Sequence, residues 1–329
     1  MARHHYPPAG EAQDQLRRVL VARSTAGKAS ATEVTCHTPT VLEALKTVAR
    51  RILPAQIYGP IRARRVHRLI EKYEPGIVEH EYAGYWLRIH LEDPLAEGWY
   101  DRDWDEPAEI AELRQGRLRP DATVFDVGAH QGVVALILAR IVGERGRVVA
   151  VEAEPHNVRV AERNVAANGV LNTSVVHAAA GAVGGVISFT ESLNGHVATG
   201  GRPGAIDVPA TTVDDLAREH GHPDVVFIDV EGFEAHVLNG AAATIGSRST
   251  DFFVELHGAA SLASAGSTAD DVMCHFDEHA FDVRVAIVGD TPPGLGSDHL
   301  LSPWEGPEYG FQTHGRRCFV VAAAKPDER

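Results

Sequence analysis

Apolar positions along the chain change period several times, and each change marks an element. Val41, Leu42, Leu45, Val48 and Ile52 recur at helical spacing and stop before Pro54. Ile61–Tyr73 repeats that period and ends at Pro75-Gly76. Gly84–Leu91 alternates instead, as a half-buried strand does. From about Ile110 onward, short apolar runs predict strands at Thr123–Asp126, Arg147–Glu152, Thr173–His177, Val225–Asp229 and Phe252–Leu256. Between them, helices are predicted at Val133–Val142, Pro155–Asn168, Val213–Glu219 and Glu234–Ile245. Regular alternation of strand and helix predicts an α/β fold built on a Rossmann-like, doubly wound, mostly parallel sheet. Val186–Thr190 predicts an extra strand after the third core strand, and Phe281–Val288 with Arg317–Ala323 a final strand pair.

The chain divides accordingly into a helical N-terminal extension, residues 1–108, and an α/β domain, residues 109–329. Residues 1–38 are polar and mixed, with one candidate helix at Gln13–Ala22, and a poorly ordered start is expected. Arg50, Arg51, Arg62, Arg64, Arg65 and Arg68 are read either as a solvated helix face or as a docking face for an anionic group. Ser192–Pro209 and Thr291–Thr313 are long loops, and loops of that length in a compact domain are usually functional or disordered. Substrate recognition is expected in these two loops and in the extension.

Composition narrows the class. The 329 residues are 44% hydrophobic and 23% charged, ordinary for a globular chain. A net charge of −14 argues against a nucleic-acid partner, which needs a positive footprint. No run approaches the ~18 apolar residues of a membrane span, so no stable membrane insertion is expected. The N-terminus lacks the apolar region of a secretory signal. Cys36, Cys274 and Cys318 are scattered and fit no zinc or redox spacing, which suits a reducing cytoplasm. A homodimer is left open.

The candidate chemistry begins at Val124-Phe-Asp126-Val-Gly128-Ala129-His130-Gln-Gly132. Strand, glycine turn and helix present backbone N–H groups to a ligand at the edge of an open α/β sheet. Gly128 permits a sharp turn, and either glycine lets a ligand approach without meeting a Cβ. The spacing is not the Gly-x-Gly-x-x-Gly of nicotinamide-binding enzymes, and no Lys-Ser/Thr follows to make a phosphate loop. Asp126 reads as a helix N-cap, a ligand contact or both. Glu152, ending the second strand, reads as an acceptor for the ribose hydroxyls of an adenosine or as a solvated strand-end acid.

Asp126-Val-Gly-Ala-His-Gln-Gly132 resembles the first motif of class I S-adenosylmethionine methyltransferases. Glu152-Ala-Glu-Pro-His-Asn157 with Asn164 and Asn168, Asp229-Val-Glu231-Gly232-Phe-Glu234 with Val237-Leu-Asn-Gly240, and Val254-Glu255-Leu-His257 together resemble the FkbM-type methyltransferases. The resemblance runs from about Trp99 to Leu256. It departs at Ala153, where the family usually has proline, and at His130, where asparagine is common. It implies S-adenosylmethionine held by Asp126, Gly128, Ala129, His130, Gly132, Glu152, Ala153, Ala178, Ala179 and Asp229. It further implies adenine beside residues 177–179, with His177 itself read chiefly as a satisfied strand-end histidine. Trp104 and Glu106 become candidates to line the site, and the last strand pair is expected to close the sheet antiparallel. The implied activity is methyl transfer to a hydroxyl of a small molecule, glycoside or natural product. An N-methyltransferase and a non-catalytic S-adenosylmethionine-binding module stand as alternatives.

Three chemistries remain open at the strand ends. Asp229, Glu231 and His257 can act as general bases, His257 because its ordinary pKa is near neutral. Asp229, Glu255 and His257 can instead hold Mg²⁺ or another divalent metal. Alignment of the acceptor alone is the third. In the bland reading, Glu231 caps the next helix and Glu255 bonds backbone.

Overall fold

The structure, a computed structural model, describes residues 64–190, 192–193, 195–197, 205–288, 301–304 and 317–325. The helices expected at 13–22 and 41–52, Arg50, Arg51 and Arg62, residues 194 and 198–204, and most of 291–313 lie outside the described residues; the rest of the loop expected at Ser192–Pro209 contains the strand His196–Val197 and the start of the strand Ile206–Thr211. The described chain begins with a helix over 64–71, as the period over 61–73 predicts, and Arg64, Arg65 and Arg68 are exposed on it.

The next elements add a second strand to the one expected in the extension at Gly84–Leu91. Strand β1 (Gly76–Tyr82) pairs antiparallel with β2 (Tyr85–Leu91) around the turn Ala83-Gly84, whose φ angles are +52° and +83°. The sequence predicts only β2. Its inward positions are Val78, His80 and Tyr82, of which only Tyr82 is fully buried, and Ile77 is 56% exposed, so the apolar alternation that marks a strand is weak in the sequence. The hairpin is not detached: Tyr82, Leu87 and Ile89 are buried in the same cluster as Leu136 and Val148 of the sheet layer.

Two asparagines attach it. Asn164 and Asn168 stand one turn apart on the helix Pro155–Ala167, with Asn168 its C-cap residue. Asn164 Oδ1 accepts from the His90 N–H at 2.7 Å. Asn168 accepts from the Arg88 N–H at 2.9 Å and donates to the Arg88 carbonyl at 2.7 Å. The side-chain amides thus serve the outer edge of β2 as a neighbouring strand would.

Eight strands make the main sheet in the order β13-β12-β14-β11-β10-β3-β4-β5. Thr123–Val127 (β3), Arg147–Glu152 (β4), Thr173–His177 (β5), Val225–Ile228 (β10) and Asp251–Leu256 (β11) run parallel. Arg317–Ala324 (β14) inserts antiparallel between β11 and Phe281–Val288 (β12), as expected, and Ser302–Pro303 (β13) ends the sheet. Every side chain of β10 and β11 is buried, as befits central strands covered on both faces. Val186–Thr190 lies in β7 (Gly185–Thr190), within a second sheet of four strands that includes Ile206–Thr211.

The helix predicted at Glu234–Ile245 is two short helices, Glu234–Asn239 and Ala242–Gly246. The break falls at Gly240, where a Cβ would stand 2.0 Å from the Gly181 carbonyl oxygen. Among the described residues, no helix is long and apolar enough to cross a membrane.

Candidate functional site

The carboxyl ends of β3, β4, β10 and β11 meet around Gly128. The N–H groups of Gly128 and Ala129 both donate to the Val151 carbonyl, at 2.8 and 3.0 Å, while Asp229 N–H donates to Val127 at 2.9 Å. Gly128 has φ +90°, and a Cβ there would stand 1.8 Å from the Asp229 carbonyl oxygen. The reason for this glycine therefore lies first in strand crowding, before any ligand approach. Gly132, with φ +78°, occupies the N-cap of the helix Val133–Val142, and no side chain caps it. Asp126 is therefore not the N-cap; its Oδ2 is buried without a hydrogen-bond partner.

His130 has φ +49°, a conformation that asparagine and glycine accept most readily. Its neighbours fix it there. Nε2 faces the Leu193 carbonyl at 3.2 Å, and Nδ1 accepts from the Tyr100 hydroxyl at 2.8 Å. Burial pushes its pKa down, so it is the neutral tautomer with the proton on Nε2. Gln131 anchors the turn from below by donating to Asp93 at 2.6 Å. Burial works against the Asp93 carboxylate, but the His156 hydrogen bond and the Ala96 N–H hold its pKa below the usual value.

Two cavities open on either side of this junction. One is lined by Glu152, Ala153, Ala178, Ala179, Phe189 and Phe233, among others. Glu152 Oε2 accepts from the His130 N–H at 2.8 Å and Oε1 from Glu154 N–H at 2.7 Å. Burial still pushes its pKa up to about 7. His177 is exposed and faces the Ala153 carbonyl at 3.2 Å rather than the cavity, the satisfied strand-end role. The second cavity is walled by Trp99, Tyr100, Trp104, Phe227 and Phe253, with Glu109, Asp126, Glu255 and Arg317 among its polar groups. Gly128, Asp229 and Glu231 line both cavities. Trp104 lines the second as expected, whereas Glu106 does not; it pairs with Arg114 at 2.6 Å.

Behind the junction the structure gathers Asp229, Glu231, Glu255 and His257. His257 Nε2 lies 3.3 Å from Glu231, 3.6 Å from Glu255 and 3.8 Å from Asp229. Nδ1 lies 2.7 Å from Glu234, which also accepts from the Gly232 N–H at 2.9 Å. Glu234 is fully buried, and sequence reading assigned it no more than a place in a helix's first turn. Glu231 does not cap the helix, whose N-cap is Phe233. It has φ +54°, a strained angle for a glutamate, and strain of this kind gathers at functional sites. Glu255 Oε1 forms an ion pair with the Arg317 guanidinium, 2.9 Å from Nε.

The expectation of a near-neutral His257 is corrected here. Burial disfavours the imidazolium, but the carboxylates of Glu231 and Glu234 outweigh it and hold the pKa well above the usual value. Confinement, and then the Glu255 charge, push Asp229 well above the carboxylate range, although 48% of its side chain meets the open cavity. His257 itself lines neither cavity; it is buried behind the carboxylates that do. Asp229, Glu255 and His257 each offer a ligand atom within 4.8 Å of the others.

Residues 126–282 match the family model described as the methyltransferase FkbM domain. A tRNA (adenine(58)-N(1))-methyltransferase of Thermus thermophilus is 34% identical over 110 residues, covering 31% of this chain and 41% of that protein. A protein-L-isoaspartate O-methyltransferase of Archaeoglobus fulgidus is 30% identical over 134 residues, covering 39% of this chain and 58% of that protein. The chain thus spans less than two thirds of these relatives' lengths. Among solved structures, a methyltransferase FkbM from Methylobacillus flagellatus aligns at 14% identity and a TM-score of 0.38, over 61% of this chain and 44% of that one.

Proposed function

We propose, from the premise that the chain belongs to the methyltransferase FkbM family through residues 126–282, that it transfers the methyl group of S-adenosylmethionine to a hydroxyl of a small molecule, sugar or natural product. The observation that carries this reading is the pair of cavities joined at Gly128, Asp229 and Glu231. Glu152 sits in one cavity as an acceptor for ribose hydroxyls, with Ala178 and Ala179 leaving room for a flat base. The sulfonium then falls at the junction, beside the carboxylates of Asp229 and Glu231, and the acceptor enters from the aromatic cavity. Held in line, the acceptor oxygen attacks the methyl carbon as the carbon–sulfur bond breaks. S-adenosylhomocysteine leaves, and the hydroxyl proton passes to Asp229. His257 acts as a positioning residue: its imidazolium, held by Glu234, offsets the negative charge of Asp229, Glu231 and Glu255.

The lining of the acceptor cavity favours a neutral hydroxyl. Glu109, Asp126, Asp229, Glu231 and Glu255 line it against Arg317. Burial holds Glu109, Asp126 and Asp229 toward their neutral, hydrogen-bonding form, which suits a neutral hydroxylated acceptor. A cytoplasmic setting suits the three scattered cysteines.

Label transfer tests the reading. With methyl-labelled S-adenosylmethionine and a panel of neutral hydroxylated acceptors, the expected product carries an O-methyl resonance. Label appearing only as N-methyl contradicts the oxygen assignment, and binding without turnover on any acceptor favours the non-catalytic module. A second reading draws on the closeness of Asp229, Glu255 and His257, which would hold a divalent cation with His257 oriented through Glu234. Such a cation would supply acidification of the hydroxyl. Full activity in EDTA excludes it.

A further inference from the structure

The hairpin of β1 and β2 has two outer edges. Tyr82 and Tyr85 close its turn, so Glu81, Glu79 and Ile77 point their backbone N–H and carbonyl groups away from β2, and Trp86, Arg88 and His90 point theirs away from β1. On β2, Asn164 and Asn168 serve Arg88 and His90. On β1, Glu81 N–H donates to Asp103 at 3.0 Å, and the Glu81 carbonyl accepts from Trp104 N–H at 2.8 Å. Among the described residues, open backbone groups remain at Trp86, alone beside the turn, and at Ile77 and Glu79, two outward positions in succession. Proteins blunt such edges with charge, proline or a covering segment, because an open edge pairs with another strand. Here the covering stops short. Pro75 lies before the open stretch and Asp103-Trp104 caps it after His80, while Ile77 stands 56% exposed on it. The charge of Glu79 is no barrier, since Arg88 offsets it at 2.6 Å.

Two open positions flanking Val78 make this edge its own complement. We propose that β1 is a self-association edge, through which two copies of the chain pair antiparallel over Gly76–His80 and join their hairpins into one four-stranded sheet. A half-turn about Val78 sets Ile77 opposite the partner's Glu79 and Glu79 opposite the partner's Ile77, and each pair exchanges N–H···O bonds in both directions. Val78, half-buried on the inner face, meets the partner's Val78. Each Glu79 lies between its own Arg88 and an isoleucine, so no carboxylate directly opposes another. The stops also match. Pro75, which has no N–H to donate, falls at the partner's Glu81, where the Asp103-Trp104 segment already holds the edge. A longer foreign strand would collide with that segment, whereas a second copy ends where it begins. The pairing is independent of the cofactor reading above.

Sedimentation equilibrium of the full chain tests it. The solution is held at ~0.15 M salt, which screens the repulsion between two chains of net charge −14. From about 1 to about 300 μM, a monomer–dimer equilibrium is expected with Kd in the micromolar range, as suits so short an interface. Ile77→Pro and Glu79→Pro each remove one outward donor and take nothing from the ladder to β2. Each should weaken the dimer roughly tenfold or more and leave the far-UV circular dichroism unchanged. A monomer throughout the range overturns the proposal, as does a dimer of unchanged strength in both variants. Amide exchange in the wild-type chain needs no variant. The N–H groups of Ile77 and Glu79 should exchange roughly tenfold or more slowly at the top of the concentration range than at the bottom. Fast exchange at both ends overturns the pairing. Equal protection at both ends, in a monomer, assigns the edge to another part of the same chain and overturns it as well.

Discussion

Glu152 carries two loads at once, two backbone N–H groups from the turns beside it and a face on the cavity beside Ala178 and Ala179. Glu152→Ala would strip both, so a loss of cofactor affinity there mixes binding with turn geometry. Glu152→Gln keeps the volume and one acceptor oxygen. Loss of charged acceptance is worth ~1.5–3 kcal/mol, which predicts binding of S-adenosylhomocysteine weaker by roughly tenfold or more. Titration calorimetry reads it, and unchanged affinity removes Glu152 from the site. Asp229 and Glu234 should separate in the opposite way. Asp229→Asn is expected to abolish turnover and barely move the denaturant midpoint, since 48% of the side chain meets the cavity. Glu234→Ala should lower stability by ~1–3 kcal/mol, because the buried His257 loses its Nδ1 partner. Equal midpoints for the two variants would contradict this division of roles.

At the scale of elements, the sequence makes the parallel strands and the glycine turn legible because both are local signals. Apolar runs mark β3, β4, β10 and β11 within a residue or two, and Gly128 announces its turn. What it hides depends on distant packing. The helix break at Gly240 answers to the Gly181 carbonyl, far away along the chain. Glu109 looks like any first-turn acid until its helix is laid against β11 and β14. Glu234 looks like a dipole partner until β11 brings His257 to it. Asn164 and Asn168 show a helical spacing, but nothing in it reveals that both reach β2. The hairpin's dependence on them is testable: Asn164→Ala should cost ~1–3 kcal/mol and speed amide exchange in residues 85–91. Exchange there at the wild-type rate would mean that apolar packing alone holds the hairpin.

For the whole molecule, the buried acids set the pH response. Glu109, Asp126 and Glu152 are pushed up to about 7 by burial, whereas in the unfolded chain such groups ionise near ~4. The folded state therefore holds more protons between those values, and stability falls as pH rises from about 4.5 to 7. Asp229, also raised, acts in the same sense. So does His257: its stabilising charge is fully present below its unfolded pKa and is lost as pH climbs through the raised folded one. Asp93 and Asp271 are depressed and act only at lower pH, while His130 and His275, lowered by burial, oppose the acids as pH rises toward their unfolded pKa of ~6.5. The thermal midpoint of the ligand-free chain is expected to be higher at about pH 6 than at about pH 7.5, the reverse of ordinary acid destabilisation. A flat or opposite trend contradicts the burial of these carboxyls.

In the proposed function, one cofactor spans the two cavities with its sulfur at the junction of Gly128, Asp229 and Glu231. A crystal structure of the chain with S-adenosylhomocysteine tests it most directly. Both ribose hydroxyls are expected on the Glu152 carboxylate, the base beside Ala178 and Ala179, and the sulfur next to Asp229. Adenosine found in the aromatic cavity, or a sulfur away from Asp229 and Glu231, would contradict it.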